Sequence, residues 1–214
     1  MSSSTNVNTS YNVRPDRHSL VEINRLNPED GVIVFDTDNQ VNKFWNGAEW
    51  VASGSEVISK TGFIDYNDTS GDITISSDTW VDVPNNGLGA FTNKNYKPTL
   101  INEVLDGSTG YLDFSDLALG SQLLIRNDFT VTPNTNNSLL EVRYLLGQGA
   151  GEYALKFWSE RLDSGSGVGY QRVISFPIYI GDTNTQGGVG KLQVKLSTNG
   201  TLNNAGSYIK IDLR

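Results

Sequence analysis

The chain has 214 residues, room for one substantial β domain and a small appendage but not for two equal domains of ordinary size. Its formal charge of −8 sets it against a nucleic-acid backbone, and the absence of cysteine excludes disulfides, thiolate nucleophiles and cysteine metal ligands together. Gly, Asn, Ser, Thr and Asp are abundant and Met stands only at position 1, a balance that favours strands and turns over long helices, so the expected class is all-β.

Residues 1–19 are polar, with Val7, Tyr11 and Val13 as the apolar anchors, too few to offset the entropy of ordering an independent core. Two readings stand side by side: a disordered tail, or an extended arm that orders by docking on a neighbouring subunit. The opening residues hold no apolar stretch fit to be a signal-peptide core, and no window approaches the roughly 20 apolar residues of a membrane span. The chain is therefore expected to be made in the cytoplasm and not to insert into a membrane.

Leu20, Val21, Ile23 and Leu26 precede the turn cluster Asn27-Pro28-Glu29-Asp30-Gly31. Val32-Ile33-Val34-Phe35-Asp36 reads as a strand, as does Val41-Asn42-Lys43-Phe44-Trp45, and Asn46-Gly47 supplies a tight turn before Ala48-Glu49-Trp50-Val51. Residues 20–51 form a small β-meander module with an aromatic patch, Phe35, Phe44, Trp45 and Trp50. Three strands make a marginal core, so packing on a partner or on the larger domain is expected. Residues 52–72 are Ser-, Gly- and Asp-rich and read as a linker with short docked pieces at Val57-Ile58 and Phe63-Ile64.

From residue 73 to 214 strand signals repeat: Ile73-Thr74-Ile75, Trp80-Val81-Asp82-Val83, and a short run near Tyr111-Leu112-Asp113-Phe114. Leu123, Ile125, Phe129 and Val131 share one face of a long run that is expected to bend or bulge. Val142, Tyr144 and Leu146 alternate against Glu141 and Arg143, and Tyr153, Leu155 and Phe157 against Glu152, Ala154 and Lys156. Ile174, Phe176, Ile178 and Ile180 follow, with Pro177 pointing to a sheet edge or a bulge. The last runs carry Leu192, Val194 and Leu196, then Ile209, Ile211 and Leu213. Eight or nine strands without a helical period imply a two-sheet sandwich of jelly-roll type.

The only histidine, His18, lies in the polar arm, so neither a Ser/His/Asp triad nor a multi-histidine zinc site can be assembled within one chain. Asp113 with Asp116, and Glu152 with Glu160, are the pairs that sequence proximity offers a glycosidase; among 24 acids such pairs arise by chance, and an enzyme is not expected. Asp36-Thr37-Asp38-Asn39 and Asp65-Tyr66-Asn67-Asp68 have calcium-loop composition without its spacing or terminal glutamate, and read as self-capped turns. The glycines of 165–169 lack the lysine of a phosphate loop and read as a loop at one end of the sandwich. No metal site or cofactor is expected. Phe44, Trp45 and Trp50 are read as module packing first, with intersubunit packing and a sugar-stacking platform as alternatives.

Gly31-Val32-Ile33-Val34-Phe35-Asp36-Thr37-Asp38, followed by Phe44-Trp45-Asn46-Gly47-Ala48-Glu49-Trp50, resembles a short β module recurring in bacteriophage fibre and other virion proteins. Trp80-Val81-Asp82-Val83-Pro84-Asn85-Asn86-Gly87, with the run from Leu119 to Thr132, resembles the trimeric jelly rolls of tumour-necrosis-factor type found in phage head fibres, decoration proteins and tail-fibre tips. These resemblances imply a homotrimer in the virion, made in the host bacterial cytoplasm. Its role would be that of a head fibre or capsid decoration protein anchored on the major capsid protein or another virion protein, with Tyr11, Val13, Leu20, Val21, Ile23 and Leu26 as anchoring residues. The alternative is a tail fibre or receptor-binding protein that recognises a host surface glycan; exposed aromatic residues in the loops at 84–98 or 163–170 would favour it.

Overall fold

The computed structural model describes residues 15–29, 32–53, 59–163 and 165–214. The chain divides into two compact units, residues 1–57 and 58–214.

In the first unit, β1 (Asp16–His18) runs parallel to β2 (Ile33–Asp36), which continues antiparallel to β3 (Val41–Trp45) and β4 (Trp50–Ser53). Residues 16–18, read from the sequence as the end of an arm, thus belong to the sheet: three polar residues carry no hydrophobic signal, and parallel pairing with a segment across the turn cluster is a non-local event. A single helical turn, α1 (Leu20–Ile23), follows β1. Its start is a capping box, with the Ser19 hydroxyl accepting from the Glu22 N–H and the Glu22 carboxylate accepting from the Ser19 N–H at 2.8 Å. Ile23 and Val34 are the buried apolar residues of the described part of this unit.

Asp36 is fully enclosed and organises the turn after β2. Its carboxylate accepts from the N–H groups of Asp38 and Asn39, from the Asn39 amide, and from Lys43 at 2.8 Å. The Asn39 amide and the Lys43 ammonium hold its pKa well below the usual carboxylate range. The string with calcium-loop composition is therefore a turn closed by its own side chains.

The second unit contains two sheets. The first has the order β5 (Thr61–Asn67), β14 (Gly200–Asp212), β9 (Gln122–Pro133), β12 (Tyr170–Tyr179), with β6 (Asp72–Ile75) also on β14. The second has the order β7 (Val81–Asp82), β13 (Val189–Leu196), β10 (Ser138–Leu146), β11 (Tyr153–Leu162), with β8 (Leu112–Asp113) also on β13. All these pairings are antiparallel. The chain crosses between sheets after β6, β8, β9, β11, β12 and β13, while β10 and β11 form a hairpin within one sheet. That is the winding of a jelly-roll sandwich, and the all-β class read from composition and alternation holds.

The core follows the period-two pattern. Leu123, Ile125, Phe129 and Val131 face inward from β9, Leu202, Ile209 and Ile211 from β14, and Leu140, Val142 and Tyr144 from β10. Pro177 stands in β12, whose only partner among the described strands is β9, so the missing donor falls where the edge tolerates it. The irregularity expected in the long run at 123–131 lies instead in its neighbour: the register of β14 on β9 shifts between Asn204 and Gly206. Gly206 has φ +139°, and a Cβ there would stand 2.1 Å from the Tyr66 carbonyl oxygen, so only glycine fits this bulge.

The linker read over residues 52–72 contains β5, which pairs with β14 from Thr61↔Asp212 to Asn67↔Gly206. Its Ile64 and Tyr66 are fully buried. Glycine and acidic neighbours hide the alternation Phe63-Ile64-Asp65-Tyr66 in the sequence. Residues 83–111 between β7 and β8 form an irregular excursion that supplies Ile101, Val104 and Leu105 to the core. It also extends the first sheet beside β5, through Phe63 N–H to Tyr96 C=O at 2.9 Å and a reciprocal pair between Asp65 and Asn93. Connections of this length without secondary structure are uncommon in compact domains and are often functional.

Candidate interaction surfaces

The outer face of the first sheet follows from register. Phe63, Lys210, Leu124 and Pro177 align across β5, β14, β9 and β12, with Asp65, Tyr208, Arg126 and Ser175 as the next row. Phe63 lies between Tyr96 and Tyr208, at ring-centroid distances of 5.1 and 5.3 Å. The Arg126 guanidinium covers Tyr208 at 5.5 Å and pairs with Asp128 at 2.9 Å. Leu124, Val173, Tyr96 and Tyr179 remain exposed, the last two at 59% and 60%. This face thus carries an apolar and aromatic stripe where a solvated sheet face is normally polar.

At one side of the sandwich, β11 pairs only with β10 and β12 only with β9 among the described strands. Between these two edges Phe157 stacks on Phe176 at 4.5 Å, and Tyr144 lies 5.6 Å from Phe157. Phe157 and Phe176 are only partly buried. Arg172 on β12 bridges to Glu160 on β11 at 2.5 Å and ties the two edges together. Sheet edges of this kind present unpaired backbone groups unless something covers them.

A third surface is the tip of the excursion. Leu88 and Phe91 are 79% and 83% exposed, on a turn whose base is fixed by Asn85 Oδ1 accepting from the Gly87 N–H and by the Asn67 carbonyl accepting from the Gly89 N–H, both at 2.9 Å. A fixed base under two bare apolar side chains is a contact site in form. The loop at 165–169 is bound at its own base, by the Gly167 N–H to the Pro133 carbonyl and the Ser166 hydroxyl to the Asn134 carbonyl, and exposes Val168.

In the first unit, Ile33, Phe35, Phe44 and Val51 share one sheet face by register, with Val34, Asp36 and Lys43 on the other. Ile33 is exposed; Phe35, Phe44, Trp45 and Trp50 are half-buried, and Trp45 meets Trp50 edge-on at 5.6 Å. Of the residues read as anchors, Leu20, Val21 and Leu26 are exposed and Ile23 is fully buried within its own unit. Tyr11 and Val13 lie outside the described residues.

Three of the four acids considered for hydrolysis, Asp113, Asp116 and Glu160, are held by other groups. Asp113 caps the Ser115 N–H and Asp116 accepts from the Asn102 N–H. The Glu160 carboxyl is held below its usual pKa first by hydrogen bonding to Arg172, the opposite of what a general acid requires. Asp65 lies in β5 and Asp68 caps Ser70 and Asn86, so the second string of calcium-loop composition is split between a strand and a turn. Among the described residues no three His, Asp or Glu side chains stand together as a metal would need, and no helix is long and apolar enough to cross a membrane.

Alternation marks the inward positions but cannot mark the contact surfaces. Leu88, Phe91 and Tyr96 sit in a turn-rich stretch where no period assigns a face. The only signal the sequence carries there is the presence of large apolar residues in the loop.

No family model and no curated protein sequence matches the chain. Among solved structures it is similar to the Eiger tumour necrosis factor from S. frugiperda, at 11% identity and a TM-score of 0.41, over 72% of this chain and 92% of that one. It is similar also to the PRD1 vertex protein, at 18% identity and a TM-score of 0.34, over 89% and 86% of the two chains. A third likeness, at 9% identity and a TM-score of 0.37, is to a protein in the structure of infectious bursal disease virus Gt strain; it covers 79% of this chain but only 37% of that one.

Proposed function

We propose that the protein is a non-catalytic structural component of a virion surface, a head fibre or capsid decoration protein of a tailed bacteriophage. Its first unit anchors it and its jelly roll is displayed as a homotrimer. The observation that carries this reading is the apolar and aromatic stripe on the outer face of the first sheet, together with the partly covered aromatic edge between β11 and β12. A sheet face with exposed Leu124, Val173 and Tyr179 and an edge with Phe157 and Phe176 are surfaces that self-association would bury. The anchoring role falls to Leu20, Val21 and Leu26, with Tyr11 and Val13 added from the arm; Ile23 contributes by holding the module together. Three copies of a weak anchor gain from avidity what each lacks alone.

A second reading, a tail fibre or receptor-binding protein for a host surface glycan, is favoured by the exposed Phe91 and Tyr96 within the loop at 84–98. Imaging intact particles with this chain traced into the density separates the two. Density on the head, with the first unit against the shell, supports decoration; density only at the tail overturns it in favour of host recognition. Sedimentation of the purified chain tests the trimer: a monomer at micromolar concentration excludes it.

A further inference from the structure

Asn127 lies on β9 with its side chain turned into the sandwich, 1% exposed. Its Oδ1 accepts from the Tyr144 hydroxyl of the opposite sheet at 2.9 Å and from the Ser207 hydroxyl of β14 at 3.2 Å. Its Nδ2 has no hydrogen-bond partner in the protein, the only buried side-chain polar atom of the described residues in that condition. A buried donor left unmade is costly, and native interiors rarely tolerate one. Turning the amide over does not remove the difficulty. Both hydroxyls could then accept from the amide nitrogen, but the oxygen would face the position left by the nitrogen and want a donor.

Asn127 also lines a cavity of about 20 Å³, together with Asn85, Gly110 and Leu105 of the excursion and Tyr144, Leu192 and Ser207 of the sheets. That is room for one water molecule, which needs about 10–15 Å³ in the same measure and two or more polar partners. The lining is mixed, with apolar walls from Val83, Leu105 and Leu192 and polar groups from Asn85, Asn127 and Ser207. A larger organic ligand does not fit, and an apolar gas atom would leave the amide unpartnered. A water molecule donates and accepts, so it satisfies either orientation of the amide.

We infer that this cavity is a binding site for a single structural water, held by the Asn127 side-chain amide and joining the two sheets to the base of the excursion at 83–111. The water acts as a pin: Asn85 and Gly110, which line the cavity, also bond to each other, through the Asn85 N–H to the Gly110 carbonyl at 2.9 Å. The excursion that carries Leu88 and Phe91 is therefore closed at its neck on a hydrated contact.

The test uses the full chain. In a crystal structure at high resolution, one ordered oxygen should stand within hydrogen-bond distance of the Asn127 amide. In solution, ¹⁷O relaxation dispersion should report long-lived water, and the Asn127 side-chain NH₂ should show a cross-relaxation peak to water. Val83→Leu places a larger side chain in the wall of the cavity; it should lower the number of long-lived waters by one, abolish the Asn127 water peak and lower the melting temperature by roughly 3–8 °C. The wild-type measurements stand alone if that variant does not fold. An amide that bonds a protein acceptor with no density in the cavity, or a wild-type NH₂ without the water peak, overturns the inference.

Discussion

The two units solve the same problem with different means. In the first, Ile23 of α1 and Val34 of β2 are the buried apolar residues among those described, and the turn after β2 is closed around Asp36. In the second, two sheets close on a continuous apolar cluster that includes Tyr66, Phe114, Phe129 and Tyr144. A small sheet cannot cover both its faces, so polar turn chemistry supplies part of what burial does not. A sandwich covers one face of each sheet by itself and leaves its surplus apolar residues on outer faces and edges.

The contrast gives predictions, the largest first. Phe129→Ala removes a fully buried ring from the jelly roll and should cost about 3–5 kcal/mol in chemical denaturation, while the chemical shifts of residues 16–53 stay in place. Shifts that move throughout the chain would mean that the units fold as one. Gly206→Ala forces a Cβ onto the Tyr66 carbonyl at a positive φ. It should destabilise the second unit by about 1–3 kcal/mol, measured by the same denaturation.

The pH dependence has the same sign in both units, because Glu103, Asp106, Glu160 and Asp182 of the second are held below their usual range as Asp36 of the first is, so the units differ in how much of their stability rests on it. Asp36 has a folded pKa depressed below its unfolded value of about 3.9, so its contribution is complete above the unfolded pKa and is lost as pH falls through the folded one. The first unit, which has the smaller core, should open on acidification below about pH 4 before the jelly roll, and Asp36→Asn should reduce that acid sensitivity to the part Glu22 supplies, along with part of the neutral-pH stability. Amide hydrogen exchange read at several pH values decides it; a jelly roll that opens first refutes the assignment.

Arg172→Gln unties β12 from β11 at a partly exposed pair and should cost no more than about 1 kcal/mol. If that edge is covered in a trimer, the loss should be concentration-dependent, which sedimentation of the variant would detect. Phe91→Ser changes an exposed tip and should leave thermal stability within about 0.5 kcal/mol. A loss of particle binding or of glycan binding in that variant would show which partner the tip meets.

Much of the sandwich is legible in the sequence because a strand with one buried face writes its orientation every second residue. Alternation alone assigns Leu123, Ile125, Phe129 and Val131, and likewise Ile174 and Ile178, to a common face, and all six are buried. Pro177 points to an edge or a bulge for the same local reason, a missing donor, and the structure makes its strand an edge among those described. β1 and β5 are not legible: Asp16–His18 has no apolar pattern, and β5 lies in a stretch whose glycine and acid content reads as linker. The turn around Asp36 is legible as a self-capped turn, since its donors lie within a few residues of the carboxylate.

The sequence by itself determined the all-β class, the inward face of most long strands and the position of several turns, because each is set by a residue and its near neighbours. Only the tertiary structure decided which strands are neighbours, that Ile23 is a core residue while Leu20, Val21 and Leu26 are not, that Gly206 must be glycine, and that Asn127 has a buried amide to satisfy. Those facts depend on contacts between residues far apart in the chain, where closure of the sandwich sets which groups meet and local pattern carries no record of the partner.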